Sequence, residues 1–264
     1  MLDTKKEEKK EDIIQKMFEL GAHLGFSRRR RHPSVSKYIY GYKNNAAIID
    51  LEHTTEALKR AEKFVAKLGQ DRATLLFVGN KPEAQLFIKK VAVDLELPYV
   101  AERWIGGTLT NFKEIRKRVN KLQWIKDAEK SDELAKYKKK ERLLFAKEKK
   151  DLERYFGGIT SMDKLPKALF VLDSGMEDIA VAEARLLNIP IVALVNSDCN
   201  ITNIDYPIVA NDTASNSIDF FIKRIADAYK TGLATAPKVV EDVKEQTKLN
   251  EKKEIIDQKS SLKK

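Results

Sequence analysis

The sequence holds one cysteine, Cys199, and three histidines in 264 residues. A single thiol excludes a disulfide within the chain and any multi-cysteine zinc site. Cys199 reads as a structural loop thiol rather than a nucleophile. His23, His32 and His53 are scattered and show neither an i, i+4 pair nor metal-ligand spacing, so no metal is expected. No apolar run approaches the ~18 residues of a membrane span, and no membrane partner is expected. The opening "MLDTKKEEKKED" mixes both signs, lacks an apolar signal core and is too acidic for a transit peptide. A cytoplasmic location follows as the expectation. Two phosphate-binding signatures are also missing. There is no G-x-G-x-x-G, and "VGNKPEA" at 78–84 has one glycine where a Walker loop needs two. Pro82 removes a further backbone donor from that turn. Neither a cofactor nor a small-molecule substrate is expected.

Basic charge is plentiful. The formal net charge is +10 and the pI about 9.4, a balance that points to a polyanionic partner. The excess is uneven. Residues 111–155 contain sixteen Lys/Arg against nine Asp/Glu, a difference of +7. Residues 28–43 contain six Lys/Arg and no acid.

Buried-strand patterns alternate with helical ones. "KYIYGY" and "AAIIDL" read as strands around a turn at Lys43-Asn44-Asn45. "ATLLFVG", "PYVAERW", "KALFVLD", "IPIVALV" and "YPIVA" are continuous apolar runs, as expected of strands covered on both faces. Helices are expected around 12–20 with Gly21 as the stop, from Thr54 or Thr55 to Leu68, from Pro82 to 95, across 176–188, and from 214 to near Gly232. Parallel strands with helical crossovers make an α/β doubly wound domain. The alternation stops between about 108 and 157. Phe112, Ile115, Val119, Leu122 and Ile125 keep helical spacing. Ser131 is expected to cap a second arm with Leu134, Tyr137, Leu144, Leu152 and Tyr155 on its seam, where Glu141 and Glu148 also fall. Together these predict an inserted antiparallel coiled-coil helical hairpin flanked by Gly106-Gly107 and Gly157-Gly158. The division expected is an α/β domain from 12–107 and 157–232, the insertion at 108–156, and charged, disordered termini at 1–11 and 233–264.

The chemistry-bearing residues divide in two. Asp50 and Asp173 end strands where ligands bind in doubly wound sheets, and both also read as caps for the next helix. An alternative reading, a nucleotide-using α/β enzyme, places Lys81 and Asp173 in its site. A third is a coiled-coil adaptor on an inert globular base. The basic segments point elsewhere. Four consecutive arginines, Arg28 to Arg31, repel one another unless a polyanion neutralises them, and guanidinium forks suit phosphate oxygens. Lys37, Lys43 and Asn44 continue that segment, with Tyr38, Tyr40 and Tyr42 interleaved and expected on one face of a strand. In "ERWIGGTLTNFKEIRKR", Arg103 and Trp104 are expected to brace the strand exit. Thr108, Thr110 and Asn111 supply hydrogen bonds, and Lys113 and Arg116 supply charge. The combined pattern favours a large phosphate-rich surface over one small ligand.

The blocks "MFELGAHLG", "YIYGYKNNAAIIDLEHT", "LLFVGNK", "ERWIGGTLTNF", "FGGI", "LPKALFVLD", "EARLLNIPIVALV" and "IVANDTA" stand in an order that resembles the bacterial type of the small-subunit ribosomal protein S two family. The resemblance covers about residues 12–230. Its most specific element is R-W-x-G-G-x-L-T-N at Arg103 to Asn111. It implies a flavodoxin-like parallel sheet with a projecting coiled-coil hairpin. It further implies binding to small-subunit rRNA near the neck between head and body, contact with other small-subunit proteins, and a part in recruiting small-subunit protein one. Catalysis is not implied. The chain departs from the family pattern at Phe26, at Arg31-His32-Pro33, at Lys43-Asn44 and at Asn196-Ser197-Asp198.

Overall fold

The computed structural model describes residues 2–131 and 133–236. The tail expected to be disordered lies, from 237 on, outside the described residues. Helix α1 runs Leu2–Glu19 and ends at Gly21, whose φ of +73° suits glycine. The chain then forms three short strands: β1 (Leu24–Ser27), β2 (Ile39–Lys43) and β3 (Ala46–Ile49). They pair antiparallel in the order β1-β3-β2. Strands β2 and β3 are joined by Asn44 and Asn45, both at positive φ, a two-residue turn that matches the strand twist. Strand β1 is absent from the sequence pattern because its four residues, "LGFS", are too few to establish an alternation. Its pairing is imposed by β3.

The rest of the chain builds a second sheet, wholly parallel. Strands β4 (Leu75–Val78), β5 (Tyr99–Val100), β6 (Ala168–Leu172), β7 (Ile191–Val195) and β8 (Tyr206–Val209) lie in the order β5-β4-β6-β7-β8. The continuous apolar runs are explained by two cores. Leu75, Phe77, Phe170, Val192 and Leu194 face one side, where α2 (Leu51–Gln70), α3 (Pro82–Asp94) and α7 (Ser215–Thr235) pack. Leu76, Val78, Leu169, Val171, Ala193 and Val195 face the other, towards α6 (Asp178–Leu186). Successive side chains of one strand thus serve different layers. Helices α2 and α7 approach at backbone distance. A Cβ on Gly232 would stand 2.0 Å from the Ala66 carbonyl oxygen, so only glycine admits that contact.

Between β5 and β6 run α4 (Phe112–Lys130) and α5 (Lys139–Phe156). Lys121 pairs with Glu148 and Trp124 packs edge-on to Phe145; Lys126 pairs with Glu153 at 2.7 Å and Glu129 with Lys149. Within each of these two sets, later residues of α4 meet earlier residues of α5. Ile115, Val119, Leu122, Ile125, Leu152 and Phe156 belong to the same buried cluster as the sheet residues of that face.

Three local expectations are corrected here. Ser131 closes α4 rather than opening α5, its N–H donating to the Asp127 carbonyl. Glu141 leaves the seam to accept the Lys138 N–H at the start of α5, satisfying a donor that the helix cannot. Leu144 is exposed, and Phe145 takes its place against Trp124 and Tyr137.

Candidate nucleic-acid interface and the strand-end cluster

Two sets of polar residues converge at the carboxyl ends of the parallel strands. The inner set is closed on itself. Lys81 follows β4, Asp173 follows β6, and Asp212 follows β8. The Lys81 ammonium lies 2.7 Å from Asp173 Oδ2 and 2.6 Å from Asp212 Oδ2. Asn196, just after β7, donates to Asp212 Oδ1 at 2.8 Å. Strand order reverses between β4 and β6, which is where doubly wound sheets open a crevice for ligands. Here that place holds an ion cluster in which Lys81 is 9% and Asp212 0% exposed. The sequence pattern therefore named two members of the cluster, Lys81 and Asp173, but their charges are satisfied within the protein. Asp173 sits at φ +63° and also accepts the N–H groups of Gly175 and Met176, tying the turn before α6. It caps a turn and not the helix. Asp50 does cap α2, accepting from Glu52 and His53.

Burial weakens the Lys81 charge, yet Asp212 and Asp173 outweigh it and hold the ammonium above its usual value. Burial works against ionised Asp173 too, and Lys81 reverses the outcome, so its carboxyl lies below the ordinary range. For Asp212, burial wins and the carboxyl is pushed up. Burial likewise pushes the Cys199 thiol up to about 12, with Asp173 and Asp198 adding to it, which leaves the sulfur unreactive.

Glu177 lies beside this cluster, 2% exposed, and accepts the Asn80 N–H at 2.9 Å. Burial raises its carboxyl to about 7, reinforced by Asp173 and Asp178. A carboxyl raised in the folded state holds its proton more tightly there than in the unfolded chain. Stability then falls as pH rises from the ordinary glutamate value through about 7, and stays lower above it. Glu177→Gln is expected to leave stability unchanged near pH 4 and to raise it by about 1–3 kcal/mol at pH 8. Urea midpoints at the two pH values check this; an equal difference at both would refute the assignment.

The second set is the glycine loop. It cradles an anion, to which Gly107 donates its N–H. The anion is a side chain of α6. Glu183, 6% exposed, takes Trp104 Nε1 (3.1 Å) and the Gly107 N–H (2.7 Å) on Oε1. Its Oε2 takes the N–H groups of Leu109 (2.9 Å) and Thr110 (3.0 Å) and the Thr110 hydroxyl (3.1 Å). Gly107 reaches this arrangement at φ +90°. Burial alone would raise the Glu183 carboxyl; the N–H groups of Thr110 and Leu109, then Trp104 and Gly107, overcome it and hold it below the usual range. Glu183 escaped the sequence reading. Its signal was a lone acid inside the apolar run "IAVAEARLL".

This geometry sorts the expected contact residues. Trp104 and Thr108 are buried and Thr110, though exposed, is engaged: Trp104 and Thr110 donate to Glu183, and the Thr108 hydroxyl donates to the Ile105 carbonyl at 2.6 Å. Arg116 is also engaged. Its guanidinium donates to the carbonyls of Thr160 and Met162 and pairs with Asp163 at 2.6 Å. Arg103, Asn111 and Lys113 are exposed at the loop and the start of α4.

The basic segment forms a rim nearby. Arg28, Arg29 and Arg30 make one exposed 3-10 turn, and Arg31 is half-buried. Lys37, Lys43 and Asn44 are exposed. None of these cations pairs with a carboxylate among the described residues. The rim is nonetheless held firmly. The Arg28 N–H donates to the Asn45 carbonyl, bringing the arginines to the β2–β3 turn. The N–H groups of His32 and Phe26 donate to the Ser197 carbonyl and hydroxyl, both at 2.9 Å, and Ile201 N–H donates to Ser34 Oγ. The rim therefore rests on the loop after β7. The three tyrosines are not on one face: Tyr38 is core, Tyr42 lies under the Arg28 guanidinium at 5.1 Å, and Tyr40 is exposed. Tyr38 ends the 3-10 turn before β2 and so stands outside the strand's alternation, whereas Tyr40 and Tyr42, both exposed, lie within it.

Geometry alone defines a class: an α/β protein whose strand-end charges and glycine loop are satisfied internally, while a fixed rim of cations faces outward. Comparison with known sequences gives the family. The pattern of the family described as Ribosomal protein S2 matches residues 17–232. Proteins named small ribosomal subunit protein uS2 are similar along most of the chain. That of Wolinella succinogenes is 41% identical over 84% of this chain and 82% of its own. Those of Helicobacter acinonychis and Sulfurimonas denitrificans are each 40% identical, covering 83% and 84% of this chain and 89% and 85% of their own. The chain belongs to the ribosomal protein S2 family, a family of structural ribosomal proteins and not of enzymes. Among the described residues, no helix is long and apolar enough to cross a membrane.

Proposed function

We propose that this protein is held in the small ribosomal subunit by its cationic rim, which binds rRNA phosphates near the head–body neck, and that it helps to recruit small-subunit protein one. The observation that carries the rRNA reading is the rim itself. Arg28 to Arg31, Lys37 and Lys43 are mostly exposed and without acidic partners among the described residues, on a segment anchored by the N–H groups of Phe26, Arg28 and His32. Arg103, Asn111 and Lys113 extend the surface along the loop that Glu183 orders, with Trp104, Thr108, Thr110 and Arg116 as its frame. Recruitment of protein one rests on family membership alone. The same reading takes the parallel sheet as flavodoxin-like, and α4 with α5 as a coiled-coil hairpin inserted at 108–156 into a domain made of 12–107 and 157–232. Its place of work is the cytoplasmic ribosome, in translation.

Replacing Arg28 through Arg31 with Ser tests the rim. For every phosphate that the variant no longer neutralises, the dependence of log affinity on log salt should flatten by about 0.9 in duplex and about 0.7 in single-stranded regions. Tagged variant protein should shift from the small-subunit peak to the top of a sucrose gradient. Unchanged sedimentation with an unchanged salt slope would overturn the rRNA reading. Crosslinks from the tagged wild type to nucleotides of the neck would locate the binding surface.

A further inference from the structure

A buried acceptor is left over at the turn between β4 and α3. Asn80 Oδ1 is closed to water and has no hydrogen-bond partner among the described residues. An unmet buried acceptor is costly and rare. The backbone of the same residue is fully engaged. Its N–H donates to Glu177 Oε1 at 2.9 Å, and its carbonyl accepts from Gln85 Nε2 at 3.0 Å. Asn80 is thus held against Glu177 while its side-chain carbonyl lacks a donor.

Glu177 presents the matching anomaly. It stands at the N-cap of α6, where an ionised carboxyl gains from the N–H groups of its own helix. It makes no such capping bond. At 2% exposure it turns instead to Asn80, whose N–H is the donor its carboxyl has among the described residues. One donor is a poor substitute for water around a full charge. The charged groups nearby do not help. Asp173 at the end of β6 and Asp178 on α6 both disfavour ionisation, and Lys81 at the start of α3 is spent between Asp173 and Asp212. A neutral carboxyl has a different need, an acceptor for its O–H.

We propose that Glu177 carries a proton and donates it to Asn80 Oδ1, so that a two-bond latch joins the turn after β4 to the start of α6. The N–H of Asn80 meets Oε1, the O–H of Glu177 meets Oδ1, and one proton satisfies both leftover groups. Burial alone would also keep Glu177 neutral, but it gives the proton no partner and leaves Asn80 Oδ1 unmet. The latch ties helices on opposite faces of the sheet, α3 and α6, where β4 and β6 lie side by side. It is closed below about pH 7 and opens above it, as Glu177 gains a charge that Asp173 and Asp178 repel. Helix α6 also carries Glu183, so the helix that orders the glycine loop is the one freed at its start.

The sign of a titration shift tests this. Full-length protein with carbon-13 in its glutamate side-chain carboxyls is titrated by NMR, and Glu177→Gln identifies the Glu177 signal by its loss. In the wild type that signal should titrate near 7. Asn80→Leu keeps the backbone N–H and the bulk but removes the acceptor. It should lower the midpoint by about one pH unit, a ~10-fold gain in acidity, because a bond made only by the protonated form is gone. An unchanged midpoint means that burial alone holds the proton and overturns the latch. A raised midpoint means that the amide NH2 was donating to an ionised carboxylate, and overturns it as well. The wild type supplies a second readout should Asn80→Leu not fold. The side-chain carbonyl carbon of Asn80 should shift with the same midpoint as Glu177, and a signal that stays still through that range overturns the latch.

Discussion

Glu183→Ala is expected to cost about 3–5 kcal/mol of folding stability and to lower the melting temperature by about 10 °C. The reason is the number of donors facing one carboxylate. Four N–H groups and one hydroxyl converge on it, three of the N–H groups from the backbone of the glycine loop. Removing the acceptor strands the buried Trp104 and Leu109 donors outright, while Thr110, which is exposed, can turn to water. Glu183→Gln separates charge from shape. Its carbonyl can replace one oxygen, but its amide NH2 then points at donors, so it should lose most of what alanine loses. A silent Gln variant would show that charge is irrelevant here. The pH dependence follows in sign. The Glu183 carboxyl is held below its ordinary value. Its contribution is therefore complete above about pH 5 and disappears as pH falls through the lowered value. Wild type and Gln variant should converge in stability once pH falls below that lowered value. In thermal melts monitored at Trp fluorescence, a W124F background leaves Trp104 as the reporter of the same site.

Lys81→Met ranks second. It leaves Asp212 and Asp173 buried together with no cation between them, and breaking such a cluster from one side typically costs about 3–5 kcal/mol. The like charges would force one carboxyl to keep its proton, raising its folded-state value. Stability of the variant should then fall with rising pH more steeply than that of the wild type, where Lys81 limits how far the Asp212 carboxyl is pushed up. Adding Asp212→Asn should restore a large part of the loss, because one of the two buried charges goes. If the double variant is no more stable than Lys81→Met by urea midpoint at pH 7.5, the cluster is not held by charge balance.

The sheet was legible because its physics is local. "LLFV", "ALFVL" and "IVALV" are covered on both faces, so continuity of apolar residues is enough to find them. The helices α4 and α5 were legible for the same kind of reason, an apolar period in a charged background. What topology fixes showed only in part. The strand-end rule put Lys81 and Asp173 in one site, but Asp212 joins them only because parallel strand order places β4 beside β6 and brings β8 to the same end. Glu183 reaches a loop more than seventy residues upstream. Thr108 and Thr110 looked like free donors because local sequence does not show which acceptors the fold brings to them. The cationic rim was visible as composition, but its rigidity was not. That comes from Ser197, two residues past the end of a core strand. Tyr38 was grouped with Tyr40 and Tyr42 because local sequence does not show that a 3-10 turn ends at Tyr38.

The close approach of α2 and α7 has a consequence for synthesis. Gly232 meets Ala66 across a gap that no side chain could share, and α7 covers the apolar face of α2 along much of its length. Helix α2 is made early and α7 late. Between those moments Leu58, Ala61, Val65 and Leu68 have no lid. A nascent chain therefore cannot complete this half of its core until it has been translated to about residue 235. For much of its elongation it exposes a hydrophobic stripe of the kind that invites chaperones or aggregation. Because α2 and α7 clasp each other, this half of the core closes only once the last helix has been made.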